Sequence, residues 1–158
     1  MKTATVHEIK QELGTLSSAE IAELCLRLAK YKKENKELLT YLLFEAHDEQ
    51  GYIEIVKKEI EDLFEEVNQS NLYFAKKTLR KIVRIINKHL RYIGAAQATI
   101  ELLIHFCKTL KASGIPIQKN VVIANLYKSQ LQKINKALET LHEDLQYDYA
   151  KEIAVLEK

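Results

Sequence analysis

Helix breakers are almost missing from this chain. Its 158 residues include four glycines and one proline, while Leu, Lys, Glu and Ile are abundant. Those four residue types lose little conformational freedom in a helix, whereas Gly and Pro are the costly ones. Sustained strand alternation between turn signals is also absent. The short apolar cluster Val121-Val122-Ile123 sits inside a helical repeat. The fold class expected is therefore all-α, with six to eight antiparallel helices. They would form stacked α-hairpins, as in a right-handed HEAT-like superhelix, or a closed helical bundle, and the stack is the favoured form.

Punctuation and periodicity place the helices. Gly14, Gly51, Gly94 and Gly114 flank helix-like runs, where a glycine can take the left-handed conformation that ends a helix. Pro116 follows Gly114 by two residues, a place for a stop. A short helix is expected near Val6–Leu13. Ser17 and Glu20 form a capping-box pair opening a second helix to about Lys33, whose buried stripe would be Ile21, Leu24, Cys25 and Leu28. Asn35 is expected to cap a third through Phe44. A fourth spans about Tyr52–Val67, with Ile53, Val56, Ile60, Leu63, Phe64 and Val67 on one face. Asn71 opens a fifth through Ile93, a sixth runs over about Ala95–Ala112, and Asn120 caps the last.

That last helix reads as long, from about residue 120 to 156. Tyr127, Leu131, Ile134, Leu138, Leu141 and Leu145 step by 4, 3, 4, 3 and 4, a seam of the a/d kind. Unbroken, it would be about 55 Å long at 1.5 Å per residue, against a diameter near 40 Å for a domain of this size. It therefore breaks near Tyr147–Tyr149, projects, or packs its seam on a second copy or a partner helix. A seam facing the chain's own bundle is the leading reading, ahead of a second copy or a partner helix.

Length and composition point to one domain covering residues 1–158. Such a domain buries about 68–70% of its unfolded surface and needs no metal or disulfide to fold. The start has no apolar signal-peptide core, and no run approaches the 18 apolar residues of a membrane span. Cys25 and Cys107 lie in apolar helical contexts and read as reduced, buried thiols, so a cytoplasmic location is expected.

Charge is the one uneven distribution. The net charge is only +2, yet Glu45–Glu66 holds nine acidic residues against Lys57 and Lys58, and Val67–Ile100 holds none. On the fifth helix Lys77, Lys81, Arg84, Lys88 and Arg91 follow one another at spacings of 4, 3, 4 and 3. They lie opposite the apolar face of Leu79, Ile82, Val83, Ile86, Leu90 and Ile93. The row has three readings. It is a solvated face that neutralises the preceding acidic helix, a footprint for a phosphate backbone with Tyr73 and Tyr92 near it to stack on bases, or a dock for an acidic protein or headgroups.

Catalytic motifs are missing. There is no Gly-rich phosphate loop, GxSxG, CxxC, HExxH or EF-hand loop, so an enzyme is not expected, nor a cofactor. Glu139 with His142 has the Glu-x-x-His spacing of di-metal bundles, but once only. Glu101 and His105 are one helical turn apart. His47 reads as a turn residue and His89 as a border residue between two faces. No metal site is expected from any of them. The segments Lys36-Glu37-Leu38-Leu39-Thr40-Tyr41-Leu42-Leu43-Phe44-Glu45 and Asn71–Lys77 resemble those of small conserved bacterial proteins of unknown function. That resemblance implies no activity and no site residues. The function expected is a non-enzymatic interaction or scaffold module that binds a protein partner or itself through a helix surface. Nucleic-acid binding by the basic row comes second, and a metal-binding or enzymatic bundle third.

Overall fold

Side-chain caps set where most of the helices begin. Thr5 and Glu8 close a capping box at the start of α1 (Val6–Leu13), and Ser17 and Glu20 do the same for α2 (Ser18–Tyr31). Asp48 accepts the Gly51 N–H (3.0 Å) ahead of α4 (Glu49–Glu65). Asn71 accepts from Tyr73 and Phe74 ahead of α5 (Leu72–Ile93), and Asn120 from Val122 and Ile123 ahead of α7 (Val121–Leu138). Each cap satisfies backbone donors that the first helical turn leaves free. The remaining helices are α3 (Lys33–Thr40), which runs into a π-helical turn at Tyr41–Glu45, α6 (Ala96–Ala112) and α8 (Glu143–Glu157). The computed structural model describes residues 1–157. The fold is all-α: eight α-helices and no strand among the described residues.

Where one domain was expected, the chain gathers into two compact units, Met1–Glu45 and Ala46–Lys158. In the first, Lys32 turns extended (φ −141°, ψ 145°) and separates α2 from α3. α3 therefore starts two residues earlier than the expected Asn35 cap. Asn35 instead donates Nδ2–H to the Leu28 carbonyl (2.9 Å), tying α3 back to the end of α2. The α2 stripe expected to be buried is not: Leu24 and Leu28 are exposed, and Ile21 and Cys25 are half-buried. None of α1, α2 or α3 holds a buried residue.

The second unit is built around α6. Ala98, Ile100, Leu102, Leu103, Ile104, Phe106, Cys107 and Leu110 of that helix are all buried, which is what a helix apolar on nearly every side requires. α4 and α8 each pack on α6, α5 packs on α7, and the pairs α4–α5 and α6–α7 join the two rows. Ile53, Val56, Ile60 and Phe64 of α4 and Leu79, Ile82 and Ile86 of α5 complete the core. Phe64 and Phe106 meet as rings 5.6 Å apart.

The long C-terminal helix is not continuous, and its break lies at 139–142 rather than near Tyr147–Tyr149. Thr140 Oγ1 donates to the Ala137 carbonyl (2.7 Å), and the Thr140 and Leu141 N–H groups reach back three residues instead of four. That tightening ends α7. The Asp144 N–H then donates to His142 Nδ1 (3.4 Å) at the start of α8. α8 returns along α7, where the Tyr127 hydroxyl donates to the Leu156 carbonyl (2.8 Å) and Asn135 Nδ2–H to Glu157 (3.0 Å).

The glycines divide by role. Gly94 (φ 73°) and Gly114 (φ 75°) are left-handed, and the Gly94 N–H closes α5 on the Leu90 carbonyl (2.9 Å). Gly14 ends α1 in the right-handed region, and Gly51 lies inside the first turn of α4. Both cysteines are free, but only Cys107 is buried. No helix among the described residues is long and apolar enough to cross a membrane.

Candidate functional site

The N-terminal unit exposes what a helical unit normally hides. α1 exposes Val6, Ile9 and Leu13, at spacings of three and four. α2 exposes Leu24, Leu26, Leu28 and Tyr31, and α3 with its π turn exposes Leu38, Leu42, Leu43 and Phe44. That is eleven large apolar side chains in 45 residues. The second unit exposes six over a stretch more than twice as long: Ile55, Tyr73, Phe74, Val121, Tyr147 and Val155. Scattered exposed apolar residues need no explanation, but a contiguous set marks an interaction surface.

Two grooves run along this surface. One, of about 580 Å³, has an apolar floor of Leu26, Ala29, Leu39, Leu43 and Phe44 and a rim of Lys30, Lys33 and Lys36. The other, of about 260 Å³, lies between Cys25, Leu28 and Ala29 of α2 and Leu38, Leu39 and Leu42 beyond the corner. Ser17 and Asn35 hold the geometry by capping α2 and locking the corner. The rim lysines are exposed, and Lys33 lies 3.7 Å from Glu37 on the next turn, a contact worth about 0.3–0.5 kcal/mol at most.

The basic row of α5 stands largely open. Lys77, Lys81, Arg84 and Arg91 are exposed, and Lys88 is half-buried. Among the exposed four, Lys81 reaches Glu66, the residue that caps the end of α4, at 3.3 Å. Four of the six α4 acids pair with other side chains: Glu54 with Lys57 (2.7 Å), Asp62 with Lys58 (2.7 Å), Glu61 beside His105 (3.3 Å), and Glu59 with His89 of α5 (3.0 Å), off the basic row. The acidic helix therefore does not cover the basic one. Lys76 and Lys77 stand over the exposed ring of Tyr73 at 5.2 and 4.7 Å, and Phe74 is exposed beside it. Tyr92 is half-buried against His89.

The seam of α7 packs on the chain's own core. Tyr127 and Ile134 are buried, and Leu131, Leu138 and Leu141 pack on the same core. Leu145 is half-buried on α8, beyond the break. Period alone cannot tell a seam facing one's own bundle from one facing a partner, because both need the same stripe.

Polar residues at one edge of α6 join three helices. Lys57 Nζ donates to Glu54 (2.7 Å) and Glu101 (3.2 Å), Tyr149 Oη to Glu101 (3.3 Å), and Lys108 to Glu152 (2.6 Å). They frame a cleft of about 250 Å³ with His105. Burial works to lower the Lys57 pKa, and the bonds to Glu54 and Glu101 outweigh it, leaving it above the ordinary lysine range. Burial, then Glu101, pushes the Tyr149 phenol up. Burial holds His105 below the ordinary histidine range, and its buried Nε2 has no hydrogen-bond partner. The charges largely cancel within the cluster, which stitches α4, α6 and α8 together.

The other histidines are apart from it. His89 bridges two α4 side chains, Tyr52 (2.7 Å to Nδ1) and Glu59 (3.0 Å to Nε2); sequence gave no sign of this, since both partners lie 30 or more residues away. Glu139 and His142 are exposed, and His142 lies 3.4 Å from Asp144. His47 is exposed in the turn before α4. No three His, Cys, Asp or Glu side chains converge on a metal-sized point among the described residues. Burial pushes the Cys107 thiol up to about 12, which leaves it protonated and unreactive. No protein-family model, no curated protein and no solved structure matches the chain.

Proposed function

We propose that this chain is a non-enzymatic helical interaction module that binds another macromolecule through its N-terminal helices. One observation carries the reading: α1, α2 and α3 bury nothing, yet they hold eleven exposed large apolar side chains with the turn that follows them. Apolar area left in water at about 25 cal/mol per Å² is a standing driving force for association. Caps at Thr5 and Ser17 hold the helices in shape, so little ordering cost remains to be met on binding. The helix-in-groove mode suits this surface, with anchors at spacings of three and four. The second unit is the scaffold, and its two rows, α4–α6–α8 and α5–α7, support the reading of stacked hairpins.

A photo-crosslinking amino acid placed at Leu28, Leu42 or Phe44 of the full chain, expressed in cells, tests the reading. Discrete crosslinked species are expected from all three positions and from none of the exposed charged positions of α4. Absence of crosslinks at all three would overturn it.

The open basic row supports a second reading, nucleic-acid binding. Lys77, Lys81, Arg84 and Arg91 form an exposed line on a helix, with Tyr73 and Phe74 exposed at its start. Cations in a row release counterions from a phosphate backbone, and exposed aromatic rings stack on bases. Fluorescence anisotropy with short single- and double-stranded oligonucleotides at two salt concentrations decides it. Binding that falls steeply with salt and is lost in a Lys81→Glu/Arg84→Glu variant supports this reading. No binding at low salt removes it.

A further inference from the structure

Resting on the interaction-module reading, we infer that the occupant of the lysine-rimmed groove is a second copy of this chain. The unit is charge-balanced, with seven basic residues (Lys2, Lys10, Arg27, Lys30, Lys32, Lys33, Lys36) against seven acidic ones (Glu8, Glu12, Glu20, Glu23, Glu34, Glu37, Glu45). The two signs are unevenly placed along it, although Glu37 and Glu45 follow the basic stretch. Between Thr3 and Leu26 there are four acids, Glu8, Glu12, Glu20 and Glu23, and one base, Lys10. Between Arg27 and Lys36 there are five bases and one acid, Glu34. The lysine rim of the groove belongs to the basic end, and the apolar seam Val6, Ile9, Leu13 to the acidic end.

A surface with one acidic and one basic end complements itself when turned end for end. In a two-fold dimer each contact occurs twice, acid end on basic groove and basic groove on acid end. Parallel stacking or a uniformly charged partner would leave one end facing like charge, which costs affinity and on-rate. The apolar content of the two ends also matches: a helix seam with spacings of three and four on one, and a groove floored by Leu26, Ala29, Leu39, Leu43 and Phe44 on the other. Mutual coverage accounts for a unit of 45 residues whose one buried residue is Tyr41, since chains near this size commonly need oligomerisation to hold their fold.

The test is a charge swap on the full chain, followed by sedimentation velocity between about 1 and 100 μM, the range in which a dissociation constant near 10 μM would show. Variant one is Glu12→Lys/Glu23→Lys, and variant two is Lys30→Glu/Lys36→Glu. None of these four residues takes part in the capping boxes, so both variants keep their helix caps. The wild-type chain is expected to dimerise. Each variant alone should raise the dissociation constant at least tenfold, and an equimolar mixture should recover a heterodimer approaching wild-type affinity. A monomeric wild type at the highest concentration, or variants that dimerise as the wild type does, would overturn the inference. So would a mixture no tighter than its parts, or a variant whose circular dichroism shows lost helix while the wild type remains monomeric. Amide hydrogen exchange on the wild-type monomer separates this failure from failure of the underlying reading. Fast exchange in α1–α3 leaves the surface open for a different partner, whereas strong protection shows the chain's own residues covering it and overturns both.

Discussion

His105 is a half-buried imidazole, its Nε2 out of water, on an edge otherwise made of paired charges. Its Nε2 lies 3.3 Å from Glu61 Oε1 but out of hydrogen-bonding line. Burial dominates and depresses its pKa below the ordinary 6.5. A group with a folded pKa below its unfolded value binds fewer protons when folded, so its contribution to stability is complete above about 6.5 and is lost as pH falls through the folded pKa. The thermal midpoint should therefore drop between pH 7.5 and 5.5, and His105→Gln should flatten that part of the profile. An unchanged slope in the variant would show that another group sets it. Gly94 is the other residue whose identity is dictated locally. Its φ of 73° meets no neighbouring side chain, since a Cβ there would have nothing within 4 Å. Gly94→Ala should then cost backbone strain alone, about 1–2 kcal/mol, read by urea denaturation. Local chemistry of this kind is legible in sequence, as Gly94 was at the end of a periodic run. His105 was legible only as a residue one turn from Glu101, because the acid it faces lies 44 residues earlier.

At the scale of elements, α7 and α8 show where sequence periodicity misleads. The a/d pattern crosses residues 139–142 without a Gly or Pro, and the turn is made by hydrogen bonds from Thr140 and to His142 that no composition rule announces. What holds α8 back against α7 is chiefly its contact with the core and the Tyr127–Leu156 bond. Tyr127→Phe removes that donor and leaves the buried Leu156 carbonyl short of a partner. The loss should be about 1–3 kcal/mol. Hydrogen exchange should rise first in α8 while α6 stays protected; equal exposure of both helices would argue that the bond serves the whole unit. The same element-scale logic separates α5 from α4. Charge counts suggested mutual neutralisation, but Glu54, Glu61 and Asp62 of α4 pair with Lys57, His105 and Lys58, and Glu59 meets α5 at His89 rather than at the basic row. Which side a charged helix shows to its neighbour depends on the crossing of two axes, and that is set by apolar contacts such as Ile60, Leu79 and Ile82.

The molecule as a whole is unequal in its two units. The second has a dense core around α6, and Phe106→Ala should destabilise it by about 3–5 kcal/mol, measured by far-ultraviolet circular dichroism because the chain has no tryptophan. The first should show little response to that change. A coupled loss of both would mean the units unfold as one. The all-helical class, the positions of most helices, the caps at Ser17, Asn71 and Asn120 and the basic row on α5 follow from the sequence by itself, because they depend on spacing and on hydrogen bonds within four residues. Tertiary structure decided the rest. It split the chain after Glu45, packed the Tyr127–Leu141 seam on the core, left Lys77, Lys81, Arg84 and Arg91 of the basic row exposed and left large apolar side chains of α1–α3 exposed. An apolar stripe states only that a helix face needs covering. Which surface covers it is settled by packing among residues far apart in the chain, and α1–α3 bury none of theirs.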